Sequence, residues 1–480
     1  MTVFGKLAEK RQTMPSGRLL ATRLFVIGFL MIIFLFPIFL VQGLIQERSQ
    51  RQASAIQEVS SKWGKSQTIA GPILVVPYYP YGPAAAYKGA IDPANLKQAY
   101  FVPESLKITS DIQSQIRSRG IYQVPLYAGN IEVRGTFVLP ELSAISLTAD
   151  KMLWSQAYVA MGGLDLGGLE SQIILNWNGS EKKFVAGDKS KLFTPEVTAP
   201  VGLPGDAVGK SIPFSFKLTL RGSGNLFFVP VGKETNVAVR SDWPSPSFDG
   251  AFLPLQHEVG NTGFTAQWKV LDLNRSLPAA WTDGAAVSFA SAIYSGQTHA
   301  ISDSDGSDYQ LANKQYNLGE FGVRFFLPVD IYQKTTRSAK YAMAVIGLVF
   351  LIYFLVEAAA RRRVNPLQYI LVGLALCIFY TLLLSLSEYI AFGLAYLLAS
   401  AAVVGMIGLF TKSILKSWHL GVITAAILVF LYGFIFILLQ SKDYTLLIGS
   451  IGLFIILGVI MYFSRYINWY GDDKDTPAAA

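Results

Sequence analysis

The residues best suited to chemistry in this 480-residue chain are scattered, and each candidate constellation fails on spacing. The run Asp303-Ser304-Asp305-Gly306-Ser307-Asp308 offers oxygens of the kind that hold Ca²⁺. An EF-hand loop starting there needs glycine at 308 and glutamate at 314, where the chain has Asp308 and Lys314, so a solvated acidic turn is the better reading. Gly205-Asp206-Ala207-Val208-Gly209-Lys210-Ser211 approaches a phosphate-binding loop. That motif needs four residues between its glycines, and here Pro204 stands where the first glycine belongs, with no strand-loop-helix pattern around it. His257, His299 and His419 fall in separate regions, and there is no HExxH helix, GxSxG turn or Cys/His cluster. No catalytic residue, cofactor site or metal site is therefore expected.

Two carboxylates remain. Glu357 and Glu388 lie in apolar stretches, where an ionised side chain is costly and for that reason a functional suspect. Both stand near the ends of their stretches: Glu357 within reach of Arg361, Arg362 and Arg363, Glu388 just after Ser385 and Ser387. Interfacial anchoring is the expected role, with a proton relay as the alternative.

Positioning these carboxylates falls to a series of membrane-length segments at 24–45, 341–360, 367–386, 390–410, 420–439 and 446–463. A hydrocarbon core of about 30 Å needs about 20 helical residues, so six transmembrane helices are expected. Arg361-Arg362-Arg363 forms a short cationic loop between the second and third, and such loops stay in the cytoplasm. Counting outward from it places 1–23 and 464–480 inside and 46–336 on the exported side. The amino-terminal segment agrees, with Lys6, Lys10, Arg11, Arg18 and Arg23 against Glu9. Its apolar stretch is longer than a signal-peptide core of about 7–15 residues and runs into Gln46-Glu47-Arg48, which predicts an uncleaved anchor, bent locally at Pro37. Gly393, Ala395, Ala399, Ala401, Ala402, Gly405 and Gly408 predict close helix contact along the fourth span.

From 46 to 63 the pattern suits a helical stalk with Ile56 and Val59 on one face, ended by Gly64. Beyond it the pattern turns to short strand-like runs, at 73–76, 135–139, 173–177 and 324–330, separated by turn residues. Phe216, Leu218 and Leu220 alternate with Ser215, Lys217 and Thr219, and Gly222-Ser223-Gly224 then predicts a hairpin across 214–240. Residues 78–93 and 297–308 read as surface loops, and 333–340 returns the chain to the bilayer. Many strands without long helical patterns predict an antiparallel, sandwich-like β domain inserted between the first and second spans.

The formal charge of +8 invites a nucleic-acid reading. Residues 46–336 hold 25 basic and 25 acidic residues, so of the 40 and 32 in the whole chain the remaining 15 and 7 carry the entire excess beside the apolar segments. The charge is a topology signal, and nucleic acid is excluded as a partner. Cys377, the single cysteine, lies in an apolar segment, so no disulfide staples the polar region.

Several passages resemble the CreD family of bacterial inner-membrane proteins: WGKSQTIAGPILVVP at 63–77, DWPSPSFDGAFLP at 242–254, GFTAQW at 263–268, VDIYQKTTRSAKY at 329–341, NPLQYILVGLALCIFYTLLLSLSE at 365–388 and RYINWY at 465–470. They run colinearly over nearly the whole chain. At 164–169 (LDLGGL) it departs from the arginine that family members tend to carry before the glycine, so no role for that arginine carries over. The resemblance implies a bacterial inner-membrane protein with a large periplasmic β domain, linked to cell-envelope integrity and to expression under a two-component system, and it brings no reaction, cofactor or ligand. Trp243, Pro244, Pro246 and Phe248 are candidates for periplasmic recognition or a rigid turn, the turn being the plainer role. The expected partners are the lipid bilayer and an envelope protein or cell-wall component. The expected function is non-enzymatic envelope support, with a transporter carrying a periplasmic lid, or an envelope-modifying enzyme at the membrane surface, as alternatives.

Overall fold

The computed structural model describes residues 17–80, 96–187, 189–190, 192–275, 277–283, 319–325, 331–360, 364–440 and 445–464. The chain divides into two compact units, Met1–Ala53 with Val329–Ala480, and Ser54–Pro328, against junctions expected at 45/46 and 336/337.

The first unit is helical. Helix α1, Gly17–Trp63, runs unbroken through the expected anchor and stalk, with Pro37 inside it. Gly64 ends it with φ of +153°, and a Cβ there would come within 2.6 Å of the Arg221 carbonyl oxygen, so only glycine fits. After the β unit, α2 (Ile331–Lys340) and α3 (Ala342–Ala360) follow, then α4 (Pro366–Ser387), α5 (Phe392–Leu415), α6 (Trp418–Gln440) and α7 (Thr445–Ser464). The start of α4 is set locally: the Asn365 side chain accepts from Leu367 N, Gln368 reaches back to Asn365 N, and Pro366 occupies a first-turn position that needs no amide donor.

Among the described residues four helices, α1, α4, α5 and α6, are long and apolar enough to cross a membrane. A fifth follows if α2 and α3, bent by 42° at their junction, count as one span. The described apolar part of α7, Leu447–Val459, is shorter than a span. The sequence predicts six, and the difference lies in the second span, where the polar α2 joins α3 at a bend, and in the short described part of the sixth. Phe25, Phe36, Leu394, Phe430 and Phe454 stand exposed, as apolar side chains do on a lipid-facing surface. Inside, Gly373 makes room for Phe34: a Cβ at 373 would fall 2.3 Å from its ring. The small residues of α5 split, with Ala395, Ala399 and Gly408 buried and Ala401, Ala402 and Gly405 exposed.

The second unit holds two sheets among the described residues. The nine-stranded sheet orders its path as Pro246–Gly250, Phe321–Phe325, Asn225–Phe228, Gln67–Tyr78, Tyr158–Gly162, Glu196–Pro200 and Val185–Gly187, with Lys97–Phe101 and then Ala280–Thr282 branching from the Gln67–Tyr78 strand. That strand is buried throughout, as its run of apolar residues requires. The eight-stranded sheet runs Gln256–Gly260, Gly263–Leu271, Glu234–Ser241, Ser105–Arg119, Tyr122–Val138, Ser211–Ser223, Ile174–Trp177 and Ser180–Lys183. Its inner strands, Gly263–Leu271, Glu234–Ser241, Ser211–Ser223 and the first half of Ser105–Arg119, alternate buried with more exposed residues, and one apolar core fills the unit.

Two expectations are corrected. The sandwich is not purely antiparallel, because Gln67–Ile69 pairs in parallel with Leu226–Phe228 and Ser105–Ile112 with Glu234–Ser241. Nor do residues 214–240 form a hairpin. The Ser211–Ser223 strand has Tyr122–Val138 along its whole length on one edge and Ile174–Trp177 on the other, so the chain after Gly224 crosses to the other sheet. Alternation reports which face is buried; it does not report which edge is free. The last strand is Phe321–Phe325, and 326–330 lie outside the described residues.

Candidate functional site

Glu388 caps α4, and its carboxylate accepts from the Tyr332 hydroxyl of α2 at 3.1 Å. Arg48 Nε of α1 lies 3.8 Å away, and the Glu388 side chain is only 7% exposed. Three helices therefore converge on one carboxylate, and Lys334 of α2 lies 5.4 Å from the Phe392 ring centroid beside them. The buried face of α2, Tyr332, Thr335, Ser338 and Ala339, recurs at three- and four-residue steps, which is how a short amphipathic helix docks.

Glu357 is buried at the other end of α4. Its carboxylate accepts from Val364 N at 3.0 Å and from the Tyr369 hydroxyl at 3.1 Å, satisfying a backbone donor and a phenol together. Arg361, Arg362 and Arg363, the expected partners of Glu357, lie outside the described residues. From Tyr369 to Glu388 is 19 residues of α4, about 28 Å at 1.5 Å per residue. The two carboxylates are thus separated by nearly a full bilayer core.

Trp243 is buried, donates Nε1 to the Ser245 carbonyl oxygen at 2.9 Å and meets the Phe325 ring edge-on at 6.3 Å. Pro244 is exposed, Pro246 pairs with Phe325 in the sheet, and Phe248 packs edge-on against His257, Phe264 and Trp268. This stretch builds an edge strand and its turn.

Nothing in the sequence patterns pointed to a cleft that forms elsewhere in this unit. It encloses about 250 Å³ between the last turns of α1, with Glu58, Val59, Lys62 and Trp63, and the outer end of the Ser105–Arg119 strand, with Arg117, Ser118 and Arg119. Glu58 pairs with Lys62 at 2.8 Å and Arg119 at 3.0 Å, and the Lys62 and Arg119 hydrogen bonds hold its carboxyl below the usual carboxylate range. The guanidinium of Arg117 lies 4.2 Å from the Trp63 ring centroid and that of Arg221 4.5 Å from the same ring. The one available signal was the basic pair Arg117-Ser118-Arg119 before the turn at Gly120, and it acquires meaning only beside Trp63.

Other motifs resolve plainly. Residues 205–211 form a turn with Lys210 paired to Asp206, and a strand, not a helix, follows. His257 packs on Phe248, while His299 and the 303–308 acidic run lie outside the described residues. Among the described residues no three His, Cys, Asp or Glu side chains are grouped to hold a metal ion.

Comparison with known proteins places this architecture. The chain is 28% identical over 440 residues to the inner membrane protein CreD of Escherichia coli (strain K12), a match covering 92% of this chain and 91% of that protein. Among solved structures, an M1 zinc metallopeptidase mutant from Deinococcus radiodurans matches 35% of this chain and 39% of its own, at 13% identity and a TM-score of 0.21, too low to bear on the fold. The family model described as inner membrane protein CreD matches residues 19–470, and the chain belongs to that family.

Proposed function

We infer that this is a non-enzymatic inner-membrane protein that supports the cell envelope by displaying its β unit on the periplasmic side, where the unit binds an envelope component. The observation carrying this reading is the insertion of Ser54–Pro328, two sheets around one core, between an apolar anchor helix and the remaining helices of an inner-membrane family member. Its charge balance and its cleft suit recognition of a ligand. Orientation rests on cation placement. Arg361 to Arg363 after α3 are matched by Lys334, Arg337 and Lys340 on α2 before it, so that helix alone decides nothing. The five basic residues before residue 24, together with Lys412 in the last turn of α5 and Lys416 just after it, tip the balance toward an inside amino terminus. The rise of about 28 Å along α4 from Tyr369, which holds Glu357, to Glu388 suits anchors at two membrane surfaces better than a proton relay or transport path, since the helix between them offers mostly apolar side chains.

The test is labelling in intact cells. Lys183→Cys, at an exposed strand position, should react with a membrane-impermeant maleimide while native Cys377, buried in α4, stays protected. Photocrosslinking from exposed positions of the unit should then capture an envelope component. Labelling of Lys183→Cys only after lysis would overturn the orientation, and absence of any crosslinked envelope component would overturn the binding role.

A further inference from the structure

We propose that the cleft beside Trp63 binds a phosphate monoester group. This deepens the reading of the β unit as a binding domain and rests on it. Three cations, Lys62, Arg117 and Arg119, face one carboxylate, Glu58, leaving a surplus of two positive charges in a cleft of about 250 Å³. Glu58 is already engaged by Lys62 and Arg119. Arg117 has no acidic partner among the described residues, and Arg221, over the same ring, is paired with Glu170.

The plain alternative is that these cations neutralise the carboxyl end of α1. That end carries about half a negative charge, a quarter of the surplus, so most of the positive charge is left over. A carboxylate ligand would cancel one of the two charges, whereas a phosphate monoester carries about −1.5 to −2 near neutral pH and matches the surplus. The site is also held in advance. Trp63 donates Nε1 to the Tyr127 carbonyl oxygen at 3.2 Å, and Tyr127, buried, donates its hydroxyl to the Asn225 carbonyl oxygen at 2.6 Å. The ring thereby seats the Arg117 guanidinium 4.2 Å from its centroid, and a guanidinium over an aromatic ring keeps N–H donors for a paired contact with oxyanion oxygens. Ser118, in the same lining, adds a hydroxyl donor.

The monoester reaches such a site either on a soluble molecule or as a lipid headgroup, and two probes separate these sources. The full-length protein in neutral-lipid nanodiscs is titrated calorimetrically with glycerol 3-phosphate, and protein in nanodiscs doped with phosphatidic acid is assayed for retention of that lipid through detergent extraction. Saturable binding of either probe, weakened at least tenfold by Arg117→Gln and strengthened by Glu58→Gln, is the expected result. Lys269→Gln, a cation outside the cleft, should leave it unchanged. Gain of binding in Glu58→Gln cannot arise from misfolding, so the pair stays decisive even if one variant folds poorly. No saturable binding of either probe, or equal affinity in the wild type and Arg117→Gln, overturns the proposal. If the crosslinking described above still captures an envelope component, the ligand class alone falls; if it captures none, the binding role falls with it.

Discussion

Glu357 and Glu388 show how one residue type serves differently according to its surroundings. Glu357 satisfies Val364 N and the Tyr369 hydroxyl in a buried setting, so Glu357→Leu strands two donors. Each stranded donor costs about 1–3 kcal/mol, and the variant should lose about 2–6 kcal/mol, read as a lowered Tm in detergent. Glu388 faces a half-exposed Arg48 at 3.8 Å, and Glu388→Gln keeps an acceptor for Tyr332; its cost should stay below about 1 kcal/mol. A large loss for Glu388→Gln would mean the ion pair matters more than its exposure implies. In the β unit, burial pushes the phenols of Tyr100, Tyr127 and Tyr158 well above their ordinary value of 10.0, with Asp283 adding to the effect on Tyr100. The folded state therefore holds these protons more tightly than the unfolded chain. The stabilisation is complete below pH 10 and is lost as the pH rises beyond it through the folded values. Absorbance titration at 295 nm should place Tyr100, Tyr127 and Tyr158 among the tyrosines that ionise only on unfolding, and Tyr127→Phe should lower the number of such tyrosines by one.

At the scale of elements, helix starts are written locally and strand partners are not. Asn365, Pro366 and Gln368 specify the first turn of α4 within four residues, and Asn365→Ala should cost about 1 kcal/mol through the lost cap, measured by thermal unfolding. The strand Tyr122–Val138 depends on a distant neighbour. A Cβ at Gly135 would fall 2.2 Å from the Ser105 carbonyl oxygen and 2.7 Å from the Phe214 ring. Gly135→Ala must therefore push a neighbouring strand or rotate an aromatic ring, at about 1–3 kcal/mol, and denaturant titration should show a lowered midpoint. The same contrast explains the hairpin that did not form: the alternation around Phe216 and Leu218 marks a buried face correctly, while both edges of that strand are taken by partners from 122–138 and 174–177.

For the whole molecule, the number of spans sets which side each terminus occupies. With α1, the bent pair α2 and α3, α4, α5, α6 and α7 all crossing, a fluorescent reporter fused after Ala480 should fold and fluoresce inside the cell, whereas failure of α7 to cross would export it. Fluorescence absent from that fusion and phosphatase activity present in its counterpart would remove the sixth crossing. The sequence by itself determined the membrane-length helices α1, α4, α5 and α6, the helical stalk ended by Gly64 and the strand-rich character of the inserted region, because hydropathy, caps and period-two alternation act over a few neighbouring residues. It also singled out Glu357 and Glu388, since a carboxylate in an apolar run stands out without knowledge of its partners. Only the tertiary structure decided the parallel strand pairs, the crossing after Gly224 and the meeting of Trp63 with Arg117 and Arg221. Those depend on which sheet edges close on each other around a shared core, a choice made by packing among residues far apart in the chain and invisible to any local pattern.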